Sequence, residues 1–298
     1  MNNSFILAAD IGGSHITAAI IDLEKSAVLP DTLIRKPVDS HQSAEKIIKV
    51  WSDVLLEAGA LYNLPHLKIG LALPGPFDYV KGICQIQNQD KYDALFGLNV
   101  KELLARQLGM AVQDIRMIND AGSFLQGEVF AGAAQGYAHA IGLTLGTGLG
   151  TSRFHEILAE DANLWCSPFL DSIAEDYLSS RWFIARYQEL SGVKLSGVKE
   201  LMALAESDVK VKMVFEEFGT NLGNFLVNFI RTDKPEVIVM GGNVANAGYL
   251  FLNATNRVLT NHHKLVPIKQ SVLGEEAILI GAANCWHKKL TSSLIDLA

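Results

Sequence analysis

The chain has 298 residues, of which 49% are apolar and 19% are charged. With ~150 residues in a typical domain, this length predicts two domains or one large one, and the large apolar share excludes an intrinsically disordered protein. The net charge of −7 disfavours binding to a phosphate backbone, so we expect no nucleic-acid partner. Because the sequence contains no run of ~18 consecutive apolar residues, we expect neither a membrane span nor a membrane partner.

The cysteines and the N-terminus indicate the compartment. Cys84, Cys166 and Cys285 are far apart and odd in number, which disfavours both a disulfide framework and a cysteine-rich zinc site. The first residues lack the basic region of a signal peptide. We therefore expect a protein of the reducing cytoplasm.

The first half of the chain opens with a predicted β-hairpin. Two apolar runs at 5–9 and 16–21 flank a glycine pair at 12–13, a pattern typical of two strands joined by a tight turn. The apolar spacing that follows predicts a helix at 43–61, a strand at 67–73, a helix at 100–108, a strand at 115–118 and a helix at 124–130.

The second half repeats this pattern. An apolar run at 138–145 precedes the glycine-rich stretch Gly146–Gly150, and a second short run follows at 151–154. The two turns lie 148 − 12 = 136 residues apart, which is too long for a solenoid repeat and suits two related domains. Beyond this hairpin the spacing predicts helices at 170–190 and 211–230, a strand at 237–240 and a helix at 277–286. Interleaved strands and helices indicate the α/β class.

Glycine clusters end three of the predicted strands. They are Gly12-Gly13-Ser14, Gly146–Gly150 and Gly241-Gly242. Glycines let the backbone approach a ligand and direct N–H groups at an anion, although the first cluster is also compatible with an ordinary hairpin turn. The sequence lacks a P-loop motif, and a dinucleotide fingerprint would need a glycine at Thr151. Three such clusters fit a nucleotide that lies in a cleft between two sheets.

Two acidic residues also stand at predicted strand ends. Asp10 follows the first strand, where a carboxylate can hold Mg²⁺ through water. Asn119 and Asp120 end the strand at 115–118, and Asp120 there can accept a proton from a substrate hydroxyl. The alternative for this pair is a helix N-cap, which both residue types favour. Their place between the two glycine turns favours the catalytic interpretation.

The motifs together resemble a known family. In this order the sequence contains Ala9 to Ser14, Gly70 to Asp78, Asn119 to Ala121, Leu145 to Gly150 and Gly241 to Asn243. This set resembles the ROK family of sugar kinases and sugar-responsive repressors, and the resemblance extends over essentially the whole chain. The resemblance implies two ribonuclease-H-like domains with a central cleft, the actin-like ATPase fold. We expect one domain over residues 1–118 with a C-terminal helix at about 283–298, and a second over 119–282.

The same resemblance implies an activity and a role for each motif. It implies ATP-dependent phosphorylation of a hexose, usually at the 6-hydroxyl, with Asp120 as general base. Asn119 and Gly75 would contact sugar hydroxyls, and Asp10 would face Mg²⁺. The residues expected to line the nucleotide are Gly12, Gly13, Ser14, Thr147 and Gly148 at the phosphates, and Gly241 and Gly242 at the adenosine.

The sequence departs from the family between residues 155 and 175. Most members carry a Glu-x-x-His pair and a cysteine-rich zinc segment, whereas here Glu160 is followed by Asn163 in place of the histidine, with Cys166 as the single cysteine. We therefore expect no zinc. By resemblance, Glu160, Asn163 and Glu175 would bind the sugar; the alternative for all three is a solvated helix face or a cap.

Two classes of function remain open from the sequence. The favoured one is a kinase that phosphorylates glucose, with N-acetylglucosamine or N-acetylmannosamine as alternative acceptors. The other is a non-catalytic sugar sensor like the family's repressors, which carry an additional N-terminal helix-turn-helix domain. The Asp10 motif begins almost at once, which we interpret as leaving no room for such a domain. By analogy with the family, we expect a homodimer.

Overall fold

The computed structural model describes residues 4–62 and 68–287. Its strands are β1 (Phe5–Ile11), β2 (His15–Asp22), β3 (Ala27–Val28), β4 (Ile34–Pro37), β5 (Lys68–Leu73), β6 (Phe77–Asp78), β7 (Ile83–Cys84), β8 (Ile115–Asn119), β9 (His139–Leu145), β10 (Leu149–His155), β11 (Ala159–Asp161), β12 (Pro168–Phe169), β13 (Ser172–Ile173), β14 (Val237–Gly241) and β15 (Ile268–Gln270). Its helices are α1 (Ala44–Ala60), α2 (Val100–Leu108), α3 (Asp120–Ala131), α4 (Ala174–Tyr177), α5 (Ser180–Ser191), α6 (Val198–Leu204), α7 (Val209–Asp233), α8 (Gly248–Asn261) and α9 (Glu276–Asn284).

The two larger sheets share the same pattern of strand pairing. The first runs β3-β2-β1-β5-β8, with β4 also paired to β2, and the second runs β11-β10-β9-β14-β15. In each sheet an antiparallel hairpin is extended by two parallel strands. Both predicted hairpins and the α/β class are therefore confirmed.

The first sheet is covered by helices on both faces because β1 is apolar on both. Leu7, Ala9 and Ile11 pack with α1 and α2 in one core cluster. Ile6 and Ala8, which point the other way because strand side chains alternate, pack against α9. Parallel strands buried on both faces read as continuous apolar runs, as β1 does.

The second sheet is built the same way around β14. Ile238 and Met240 belong to a core cluster that contains α5, α7 and α8. Val237 and Val239 face the opposite side, where they pack with α3. Helix α9 on the first sheet and α3 on the second are thus the elements that meet between the two sheets.

Glycines allow α3 and α9 to cross at short range. A Cβ on Gly127 would collide with the carbonyl of Ala277, and a Cβ on Gly281 would collide with the carbonyl of Ser123. The hydroxyl of Ser123 also donates a hydrogen bond to the carbonyl of Ile278 at 2.7 Å. The crossing therefore fixes the distance between the two helices, and with it the relation of the two sheets.

One predicted element is wrong in its first half. The helix expected over 170–190 is replaced by the β12–β13 hairpin, the short α4 and then α5. Leu170 adopts a left-handed backbone with φ of 51° and is exposed, so it interrupts the helix despite its apolar spacing. In the observed structure the hydroxyl of Tyr177 donates to the carboxylate of Asp171, and the hydroxyl of Ser172 donates to that of Asp176.

Some expectations lie at the limits of the described chain. Residues 63–67, which include the start of the strand expected at 67–73, and residues 288–298, most of the helix expected at about 283–298, lie outside the described residues. The described α9 ends at Asn284. Within residues 4–62 and 68–287, no helix is long and apolar enough to cross a membrane. The domain boundaries and the cytoplasmic location stay predictions.

Candidate active site

A cleft of about 1320 Å³ opens where both sheets present the carboxyl ends of their parallel strands. In the first sheet Leu73 of β5 is opposite Asn119 of β8, and in the second Gly241 of β14 is opposite Thr144 of β9. In open α/β sheets this edge is where ligands bind. The cleft exceeds the usual range of ~300–1,000 Å³ for a single small ligand, so it has room for two substrates.

The first glycine turn is held by two hydrogen bonds at Gly12. The N–H of Gly12 donates to the carbonyl of His15 at 2.9 Å, and the hydroxyl of Tyr92 donates to the carbonyl of Gly12 at 2.6 Å. Gly13 and Ser14 then line the cleft. The turn is therefore fixed before any ligand arrives, which lowers the cost of binding.

The second glycine turn is held by polar groups from a different part of the chain. The N–H of Gly146 donates to the carbonyl of Gly148, and the carbonyl of Gly146 accepts from the N–H of Ser180, the first residue of α5. The Glu175 carboxylate accepts from the N–H of Leu149 at 3.0 Å. A Cβ on residue 148 would lie 2.6 Å from that carboxylate, so a larger residue there would displace the Glu175 side chain.

The third glycine cluster, Gly241-Gly242, lies at the same edge of the second sheet as the second turn. Gly242 has φ of 85° and its missing Cβ would collide with the backbone of Leu145, two independent reasons for glycine. Gly242 lines the cleft. Gly241 lies behind it, packed against the ring of Phe124.

Asp120 is the first residue of α3 and faces the cleft. The side chain of Asn119 caps this helix by accepting from the N–H of Gly122 at 3.0 Å, and its amide donates to the hydroxyl of Tyr79 at 3.1 Å. One Asp120 carboxylate oxygen accepts from the N–H of Ala121. The N-cap and the catalytic interpretation of this pair are thus compatible, since Asn119 makes the cap and Asp120 is presented to the cleft.

Burial and mutual repulsion raise the pKa values of the carboxyl groups here. Burial is the main cause of the raised pKa of Asp120, opposed by the Ala121 hydrogen bond and by the positive charge of Lys91. Burial, followed by the charge of Asp120, raises the pKa of Asp10 to about 7. Shifts of this kind are typical of functional sites.

We expect the Asp10→Asn variant to be more stable than the parent at pH 8. A carboxyl group whose pKa is raised in the folded state stabilises the fold at low pH, and this contribution is lost as the pH rises from about 4 through about 7. The difference is at most on the order of 4 kcal/mol. Thermal unfolding of both proteins at pH 5 and pH 8 measures it.

The matched control for this measurement is Asp53→Asn, on the exposed face of α1. Its unfolding should follow the parent at both pH values. An Asp10→Asn protein whose melting temperature falls between pH 5 and pH 8 as much as the parent's would contradict the burial argument.

The structure brings most of the predicted site residues to one cleft. Those that line it are Gly13, Ser14, Gly75, Asn119, Asp120, Thr147, Gly148, Asn163, Glu175 and Gly242. The predicted residues that do not line it are Asp10, Gly12, Glu160 and Gly241. Asp10 lies near the end of β1, just before the first turn, Gly12 begins that turn, and Gly241 lies behind the third cluster.

Glu160 is the predicted residue that the structure places elsewhere. Its side chain is 67% exposed and lies 4.0 Å from Arg153, because neighbouring residues of β11 point to opposite sides. Asp161, the next residue, lines the cleft instead, and burial together with the charge of Asp120 raises its pKa. The carboxylate that faces the cleft on β11 is thus that of Asp161, one residue after Glu160.

Several cleft residues carry no motif in the sequence. They include Tyr79, Lys91, Asp161 and Arg181. Arg181 pairs with Glu175 at 2.8 Å, so the second turn is supported by an ion pair. The two-residue alternation of a strand at 159–161 is the one signal that would have pointed to Asp161; the others depend on tertiary packing.

The site fits Mg²⁺ at Asp10. Mg²⁺ is usually held by one or two carboxylates together with substrate phosphates, and the carboxylates of Asp10 and Asp120 repel each other where a cation would relieve the repulsion. In the described ranges, no group of three or more His, Cys, Asp or Glu side chains is arranged to hold a metal ion.

The expectation of no zinc stays a prediction. We expect elemental analysis of the purified protein to find less than one zinc per chain, and a chelator to leave its thermal unfolding unchanged, because residues 155–175 contain one cysteine. Stoichiometric zinc whose removal lowers the melting temperature would overturn this expectation.

Comparison with known proteins agrees with the geometry. A model of the ROK family matches residues 6–154 and 158–289. The glucokinase of Thermotoga maritima is 22% identical over 96% of this chain and 98% of its own length, and the N-acetyl-D-glucosamine kinase of Mannheimia succiniciproducens is 27% identical over 94% and 98%. The crystal structure of the ROK hexokinase from Thermus thermophilus shares the fold, with a TM-score of 0.76 at 22% identity over 98% of this chain and 99% of that one. Since the family model spans nearly the whole sequence, the chain belongs to the ROK family.

Proposed function

We propose that this chain is a sugar kinase that transfers the γ-phosphoryl group of ATP to a hexose, with glucose and its 6-hydroxyl as the first candidates. The observation that carries the proposal is the position of Asp120. Its carboxylate lines the same cleft as Gly13 of the first turn and Thr147 and Gly148 of the second. Glycine turns suit phosphates, and a carboxylate beside them suits an acceptor hydroxyl.

The proposed reaction is an in-line transfer. The sugar hydroxyl oxygen forms a bond to the γ-phosphorus as its proton passes to Asp120. The bond between the γ-phosphorus and the bridging oxygen breaks, and ADP leaves with that electron pair. Catalysis of this kind requires positioning and charge stabilisation, which the fixed turns and the helix N-terminus at Asp120 provide.

Mg²⁺ would neutralise phosphate charge when it is bound with the nucleotide, and Asp10 is the residue that would hold it through water. The proposed sugar contacts are Asn119, Asn163, Glu175 and Gly75, and Asp161 adds a further carboxylate because it lines the cleft.

We also propose that each of the two sheets forms the centre of one ribonuclease-H-like domain. The two domains would close over the sugar and so keep water from the nucleotide. The homodimer stays a prediction.

A 2-acetamido sugar is the second candidate acceptor. The N-acetyl-D-glucosamine kinase relative has higher identity to the chain than the glucokinase relative. Both acceptors present the same primary hydroxyl, so the proposed role of Asp120 is the same for either. The acceptor therefore has to be decided by assay.

The test is ADP release from Mg·ATP in the presence of glucose, mannose, fructose, N-acetylglucosamine or N-acetylmannosamine. The proposal predicts sugar-dependent release with at least one of them and little release without sugar. The acceptor with the highest kcat/KM identifies the substrate. Sugar binding by calorimetry without ADP release from any mixture would support the sensor and contradict the kinase.

A further inference from the structure

Lys91 occupies a place in the cleft that no motif predicts. It lines the cleft together with Gly13 and Asp120, and it is half-buried. Its Cδ lies 3.9 Å from the position that a Cβ on Gly13 would occupy. The aliphatic part of the side chain thus lies along the first glycine turn.

The loop that carries Lys91 is anchored to that turn by its neighbour. Tyr92 is 1% exposed, packs edge-on against the ring of Trp51 at 5.2 Å, and donates from its hydroxyl to the carbonyl of Gly12. Its N–H also donates to the carbonyl of Ser40 at 3.0 Å. Since Lys91 precedes this fixed residue, its backbone is held beside the turn.

The charge of Lys91 is available to a ligand. Within residues 4–62 and 68–287, Lys91 forms no ion pair, whereas the other cation that lines the cleft, Arg181, is paired with Glu175. The ammonium is close enough to Asp120 to lower the pKa of that carboxyl group against the effect of burial. Lys91 is therefore close to the turn proposed to hold phosphate and acts electrostatically on the proposed base.

We propose that Lys91 contacts the phosphoryl group in transfer and stabilises its charge, acting as a catalytic residue of the kinase reaction proposed above, on which this inference rests. The charge of that group is spread over its equatorial oxygens in the transition state. A cation placed beside such charge stabilises it, and the effect grows when closure over the substrates excludes water. In the same position the charge of Lys91 favours the ionised form of Asp120, which is the form that accepts the hydroxyl proton.

The experiment compares Lys91→Met with Lys91→Arg, and uses Lys199→Met on the exposed surface of α6 as the matched control. For Lys91→Met we expect a kcat about 100-fold below the parent, an unchanged sugar KM and unchanged thermal unfolding. Arginine should restore much of the loss because it retains the charge. The acidic limb of the kcat–pH profile should move to higher pH in Lys91→Met, since the cation that lowers the pKa of Asp120 is gone.

Nucleotide binding gives a second readout that needs no turnover. Calorimetry should show Mg·ATP binding weakened about tenfold in Lys91→Met and Mg·ADP binding unchanged, because ADP lacks the γ-phosphate. Parent-like kcat, or an equal effect on ATP and ADP, would overturn the proposal, as would a loss confined to the sugar KM. If the parent phosphorylates no sugar, the kinase proposal fails, and the ATP-to-ADP affinity ratio still decides whether Lys91 faces the γ-phosphate.

Discussion

Replacing Asp120 by Asn should lower kcat by at least about 100-fold, the usual minimum contribution of a general base, while the sugar still binds. The side chains have the same shape, and the amide oxygen can still accept from the N–H of Ala121, so α3 and its cap remain. An amide cannot accept the hydroxyl proton at neutral pH. Initial rates with the best sugar and calorimetric sugar binding measure the two effects separately.

The control for this variant lies at the other end of the same strand. Asp114 precedes β8 just as Asp120 follows it, so Asp114→Asn removes one carboxylate without reaching the cleft. It should retain the parent kcat. An Asp120→Asn enzyme with the parent kcat would remove Asp120 from the reaction, and loss of both kcat and sugar binding would indicate a binding role instead.

Replacing Gly281 by Ala should destabilise the protein by about 3 kcal/mol, the upper part of the range for overpacking a well-packed core. The new methyl group would meet the carbonyl of Ser123 on α3, a backbone atom that cannot rotate away. Alanine favours helix over glycine by about 1 kcal/mol, so the steric cost wins. The free energy of unfolding from urea titration measures the net effect.

Gly197→Ala is the matched control, because a Cβ there meets no atom within 4 Å and its φ of −179° is open to any residue. Because Gly197 is the N-cap of α6, where alanine is less favourable than glycine, the variant's unfolding free energy should fall by no more than about 1 kcal/mol. A Gly281→Ala protein as stable as the parent would show that α3 and α9 can separate without cost. The crossing would then not set the relation of the two sheets.

The hairpins and the glycine turns were predictable because their signals are local. Two apolar strands and the glycines between them occur within about 15 residues at Gly12 and again at Gly148. Helix α2 was predictable for the same reason. The spacing of its apolar residues and the glycine at position 109, which ends the helix in a left-handed conformation, are both local features of the sequence.

The parts that were missed depend on tertiary structure. Lys91 comes to the first turn through the hydrogen bond from Tyr92 to Gly12, across 80 residues of chain. Asp161 rather than Glu160 lines the cleft because β10 pairs Ser152 with Asp161, a register that spacing alone does not fix. The apolar spacing at 170–190 predicted one helix, but the segment forms a short hairpin and two helices. Periodicity alone cannot distinguish these arrangements.

The most direct test of the account is a crystal structure with a non-hydrolysable ATP analogue, Mg²⁺ and the best acceptor sugar. We predict that the γ-phosphate lies between the turns at Gly13 and Gly148, with the 6-hydroxyl of the sugar hydrogen-bonded to the Asp120 carboxylate. A sugar bound with no hydroxyl near Asp120, or a nucleotide whose phosphates lie away from both turns, would contradict it.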